Sequence, residues 1–177
     1  MKKINRFDGY EGRYTAETSE TNAKGEIWEN VFYETFTKRG HRVIDCTKSL
    51  EYQIVDTDFV VYNKNNDNKF TVEVKSCEVI HKTNNMFCER AERGWVKTCK
   101  ADYIAYIDTV NELMYLYRLN DLRHYIKEHE RSLRTTYYPE SAWLVNAHDF
   151  ISWCNDLDKI TYTIDIKNDD WKKNIKG

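Results

Sequence analysis

The sequence predicts an α/β domain, and three stretches carry that expectation. "NAKGEIWENVFYETFTKRG" places Trp28, Val31, Phe32, Thr35 and Phe36 at helical spacing. "DTDFVVYN" is an unbroken apolar run of the kind found in strands covered on both faces. "KFTVEVKSCEV" alternates Phe70, Val72 and Val74 with Thr71, Glu73 and Lys75, the period-2 pattern of a half-buried strand. With "HRVIDC" between the first two, the chain reads helix, strand, strand, strand, with a hairpin at its centre.

Taken in order, residues 1–20 are polar and tyrosine-bearing without clear periodicity, and read as a loosely held arm. Residues 21–177 read as a single domain, with a core over about 21–120 and a C-terminal elaboration over 121–177. Gly40 stands where a left-handed C-terminal cap closes the first helix. "NKNNDNK" supplies turn residues before the alternating strand. "ADYIAYIDTVNELMYLYRL" reads as a second hairpin turning through Asp108 to Glu112. Asn120 is expected to cap a helix carrying Leu122, Tyr125, Ile126 and His129. "SAWLVN" then reads as a short strand, "AHDFISWCNDL" as a helix and "KITYTIDIK" as a final strand.

A chain of 177 residues fits one domain and buries a core without covalent staples. Its 41% hydrophobic and 32% charged residues, mixed in both signs, are those of a soluble globular protein. No apolar run approaches a membrane span. The start, "MKKINRFDGYEGRY", lacks the apolar segment of a secretory signal, so a cytoplasmic location is expected. Cys46, Cys77, Cys88, Cys99 and Cys154 are odd in number, with no C-x-x-C pair, and read as buried reduced thiols rather than a disulfide framework or zinc site. The net charge of −2 does not advertise nucleic-acid binding, but such binding needs only a local positive surface.

The chemistry gathers around "KFTVEVKSCEV". Glu73 and Lys75 are two residues apart and share one side of the strand, as a solvated sheet face or as two parts of a site. Asp58 opens the preceding strand. If the hairpin sets Asp58 opposite Glu73, two carboxylates converge beside one lysine. Pairing Tyr62 with Phe70 is one residue out of that register, so the site requires a bulge or an asymmetric turn. Close carboxylates repel, and a divalent cation removes that cost. Oxygen ligands with open water positions suit magnesium, with manganese as its substitute. Lys75 then lies where it can orient or deprotonate an attacking water.

Asp58, Glu73 and Lys75 resemble the D…(D/E)-x-K core of the PD-(D/E)XK nuclease superfamily, and "GEIWE" is similar to the G-x-x-x-E segment of its Holliday-junction-resolvase-like branch. "NNMFCE" and "GWVKTCKADYIAYI" further resemble the central region of small phage-type members. Thr57 replaces the family's proline. The resemblance covers roughly residues 20–120 and implies a mixed central β-sheet flanked by helices, a restriction-endonuclease-like architecture. It implies a magnesium-dependent DNA endonuclease, structure-directed or weakly sequence-selective, acting as a homodimer. Asp58, Glu73 and Glu29 would hold the metal and Lys75 would complete the catalytic set. The alternative is a protein of the same fold that only binds nucleic acid or blocks a host protein.

Several positions compete. Periodicity does not separate Glu29 from Glu34, since each lies just beyond one edge of an apolar stripe running from Ile27 through Trp28 to Phe36; Glu26 points further toward water. The G-x-x-x-E resemblance favours Glu29. Asp56 competes with Asp58, and Glu89 is a further candidate carboxylate. Arg90, Arg93, Lys97 and Lys100 follow closely behind the site and are natural phosphate contacts, or else a mixed-charge face with Glu89 and Glu92.

Overall fold

The structure, a computed structural model, describes residues 16–66, 68–136 and 141–174. It opens with helix α1 (Ala16–Lys38), strand β1 (Arg42–Asp45), the single turn α2 (Leu50–Gln53), β2 (Phe59–Tyr62) and β3 (Lys69–Cys77). A crossover follows, made of α3 (Ile80–Thr83), β4 (Asn85–Glu89) and α4 (Trp95–Thr98). The hairpin β5 (Tyr103–Asp108) and β6 (Leu113–Arg118) leads into α5 (Leu119–His129), then β7 (Arg134–Thr136) and β8 (Ala142–Asn146). Helix α6 (Ala147–Asp156), β9 (Thr161–Asp165) and β10 (Asp170–Asn174) complete it. No helix among the described residues is long and apolar enough to cross a membrane.

Seven strands form the central sheet in the order β1-β2-β3-β5-β6-β9-β10. β3 and β5 run parallel and every other neighbouring pair antiparallel, so the sheet is mixed. The architecture is α/β, a large mixed central sheet flanked by helices. The crossover between β3 and β5 contributes β4 to a separate three-stranded sheet, β4-β8-β7.

The two faces of the central sheet carry two cores. On one, Phe32 and Phe36 of α1 pack on Phe59, Val61, Val72, Val74, Ala105 and Ile107. On the other, Ile104, Tyr106, Tyr115 and Tyr117 meet α4, α5, α6 and the small sheet. β5 alternates strictly between the two, as the pleat requires. The sheet curls around α1: Arg39 at the helix end pairs with Asp169 at 3.0 Å, and Trp171 of β10 meets Phe36 edge-on at 4.9 Å. Gly40 closes α1 at φ 85°, with His41 N–H donating back to the Phe36 carbonyl.

Several expectations need correction. Residues 16–20, assigned to the arm, are the first turns of α1, while residues 1–15 lie outside the described residues. β3 is not half-buried, because helices and the small sheet cover the face that carries Glu73. Asn120 does not cap α5. β6 runs directly into the helix, Arg118 is the N-cap but its side chain makes no capping bond, and Asn120 accepts from Arg123 instead. β9 is not the final strand, because "DWKKN" folds back beside it as β10.

Phe32 is fully buried and stacks on both Phe36 and Phe59. Phe32→Ala is expected to lower unfolding free energy by about 3–5 kcal/mol, read as a reduced urea midpoint with an unchanged slope.

Candidate functional site

The register settles the position of Asp58 first. Tyr62 pairs with Lys69, not Phe70, and the ladder runs without a bulge to Phe59 opposite Val72. Asp58 lies one step past that last pair, on the side of Glu73. Its main-chain N–H donates to Val72 O at 3.0 Å, and its Oδ2 accepts from Val74 N–H at 2.8 Å. The carboxylate thus takes the place that the next strand carbonyl would fill.

Parallel pairing with β5 sets Glu73 beside Ile104 and Lys75 beside Tyr106, on the face covered by α4. Glu73 is 1% exposed and Asp58 3% exposed, so this is not a solvated sheet face. Lys75 Nζ donates to Glu73 Oε1 at 2.7 Å and lies 5.9 Å from the Trp95 ring centre. The other carboxylate oxygen, Glu73 Oε2, is buried without a hydrogen-bond partner among the described residues. Such an orphan costs free energy unless a proton, water or cation meets it.

Burial pushes the Asp58 carboxyl well above its ordinary value, and the negative charges of Glu73 and then Glu29 add to the rise; Val74 N–H and Lys75 oppose it. Glu29 is therefore within electrostatic reach. It is half-buried, whereas Glu34 and Glu26 are exposed. The reason lies in Ile27, which is 56% exposed and so is not part of the packed stripe. Glu29 falls about 20° past buried Phe36 on the helical wheel, while Glu34 flanks exposed Ile27.

Asp56 is not a substitute for Asp58. Its φ of 50° takes it out of the extended chain, and its carboxylate accepts from Thr98 Oγ1 at 2.9 Å. Glu89 also has another duty: its Oε2 accepts from Trp95 N–H at 3.1 Å, closing the start of α4.

That single turn covers the pair with its apolar residues, which the sequence reading passed over in favour of the basic ones. Trp95, Val96 and Cys99 are buried over the acidic pair. Cys99 Sγ donates to Asp56 O at 3.1 Å, and Lys100 N–H donates to Val55 O at 2.8 Å. Burial, and then the nearby Glu73 charge, push the Cys99 thiol up to about 12. Arg123 of α5 donates to the carbonyls of Val96, at 2.6 Å, and Cys99, at 2.7 Å. Gly94 permits the seating, since a Cβ there would stand 2.7 Å from Glu89 Cβ. The apolar spacing of Trp95, Val96 and Cys99 was the available signal. All five cysteines are free thiols, four of them buried.

The four expected phosphate contacts do not converge. Arg90 and Lys97 line a groove of about 490 Å³ with Trp143 and Lys127, Lys100 lines a separate larger groove, and Arg93 is exposed.

No three His, Cys, Asp or Glu side chains among the described residues cluster closely enough to form a metal cage by themselves. The pair fits a narrower case. Magnesium characteristically takes one or two carboxylates and keeps several waters, and Asp58 with the orphaned Glu73 oxygen offers that donor set.

No protein-family model matches the sequence, and no curated protein matches it. Among solved structures the chain is similar to I-Ssp6803I, a bacterial homing endonuclease, with 20% identity and a TM-score of 0.44. The likeness covers 56% of this chain, and the chain spans 66% of that protein.

A carboxyl held above its unfolded value stabilises the fold below the unfolded pKa, and that contribution is lost as pH rises through the folded one. Metal-free Asp58→Asn is therefore expected to be more stable than wild type near pH 8, the gap closing as pH falls toward about 4. Thermal melts in chelator across that range check it; parallel pH profiles would refute it. Each 1 kcal/mol appears as about 2–4 °C.

Proposed function

We propose that this chain is a magnesium-dependent DNA endonuclease of the PD-(D/E)XK type, structure-directed or weakly sequence-selective and acting as a homodimer. One observation carries the reading: a glutamate 1% exposed, with one oxygen held by Lys75 at 2.7 Å and the other left without a partner, beside a second buried acid. A merely structural buried ion pair satisfies its lone pairs within the fold; this one leaves an acceptor for something else.

Asp58 and Glu73 would hold the magnesium, with Glu29 assisting directly or through water. When bound, the ion supplies Lewis-acid stabilisation of charge developing on the phosphodiester. Lys75 would orient the attacking water and manage its proton. Its ammonium lies between the Glu73 carboxylate and the Trp95 ring, which restricts its rotamers. Trp95 and Cys99 exclude bulk water from Glu73, strengthening every charge interaction there.

The test offers supercoiled plasmid, linear duplex, single strands, flaps and four-way junctions to the protein with magnesium and with chelator. Cleavage that needs the metal is expected, with Asp58→Asn, Glu73→Gln and Lys75→Ala each reducing the rate by about 10²–10⁴-fold. Glu29→Gln is expected to lose more activity than Glu34→Gln. If wild type binds these substrates but cuts none, the noncatalytic alternative takes its place; full activity in Lys75→Ala removes the lysine from the mechanism. Light scattering at working concentration tests the homodimer, a monomer mass refuting it.

A further inference from the structure

We infer that the groove at the β2–β3 turn is a binding site for single-stranded nucleic acid, separate from the acidic pair and not dependent on cleavage there. The groove measures about 1350 Å³, beyond the range of about 300–1,000 Å³ usual for small-molecule pockets. An extended ligand fits it better than a metabolite.

Its chemistry is cationic and aromatic. Lys64, Lys69, Lys100 and Arg118 line it, and all four are exposed. No salt bridge ties these four to a carboxylate among the described residues. Among the described residues two acids line the groove, and the cations outnumber them. Asp102 accepts from both the N–H and the hydroxyl of Thr71, at 2.8 and 2.9 Å, and Asp121 pairs with Lys159 at 2.7 Å. The field presented to a ligand is therefore positive, which suits a phosphate backbone.

The aromatic component selects the form of the polyanion. Phe70, Tyr103 and Tyr162 line the groove and are each half-buried, anchored in the sheet with part of each ring left accessible. Phe70 and Tyr103 lie 5.1 Å apart between ring centres, and Arg118 Nε donates to the Tyr103 hydroxyl at 3.2 Å, its guanidinium 5.9 Å from the ring centre. Rings of this kind offer stacking to bases, and in a duplex those base faces are already stacked on one another. Asn63, Asn65 and Asn68 on the turn add amide groups of either polarity. Cations for the backbone and rings for the bases together define a single-strand groove.

The experiment measures anisotropy of a labelled oligothymidylate of about fifteen nucleotides, in chelator so that no cleavage intervenes, against a duplex of the same length. Single-strand binding tighter than duplex binding is expected. Raising salt from about 50 to 200 mM should weaken it about fiftyfold for four phosphate contacts. Lys64→Glu with Lys69→Glu, one on the turn and one at the exposed start of β3, should roughly halve the salt slope. Tyr162→Leu, which keeps apolar volume but removes the ring, should weaken binding about five- to a hundredfold. Asp58→Asn should bind like wild type, which separates this site from the proposed nuclease centre. Equal or tighter duplex binding, or unchanged affinity in the lysine double variant or in folded Tyr162→Leu, would overturn the assignment.

Discussion

A charged pair inside a sheet that is covered on both sides is the constraint to which the rest of this structure answers. Lys75 and Glu73 form a 2.7 Å ion pair with the glutamate fully enclosed. Taking such ions from water costs several kcal/mol each, and their attraction offsets this only with good geometry and further hydrogen bonds. Here those further bonds are incomplete, and a second acid, Asp58, stands in the same enclosure under repulsion. The surrounding fold has to hold that arrangement against relaxation. Two extended apolar cores, one on each sheet face, supply the rigidity.

The cores also divide the labour. The α1 side, rich in stacked phenylalanines, fixes β2 against β3 and with them the register that aligns Asp58 and Glu73. The opposite side brings α4 down over Glu73 and secures it from α5 through Arg123, a guanidinium that donates to the main-chain carbonyls of Val96 and Cys99. A one-turn helix has little stability of its own. Its placement comes from Glu89 at one end, Arg123 at the other and the absence of a side chain at Gly94.

Strong local periodicity made much of this readable in advance. The helix ending at Gly40, the apolar strand after Asp58 and the alternating strand bearing Glu73 each announce themselves within ten or so residues. The register was not readable, because "NKNNDNK" lacks a glycine that would dictate the turn, and pairing Tyr62 with Lys69 depends on the whole ladder. The second sheet was hidden for a related reason: β4 and β8 are each locally ordinary strands, and their partnership spans more than fifty residues. Glu29 and Glu34 looked alike while Ile27 passed for a core residue. Its exposure breaks the tie. Burial of Glu73 was invisible, because the element covering it is a single turn with no lasting period.

The bonds from Asp56 to Thr98 and Cys99, and from Val55 to Lys100, join the end of α4 to the segment that leads into Asp58. Roof and floor of the enclosure are consequently one mechanical piece. Lifting the roof from Glu73 would drag the floor along. The half-exposed side chains tied to the enclosure are Lys75, bonded to Glu73, and Glu29, whose charge reaches Asp58, so these two vary in position more readily than the covered pair they flank.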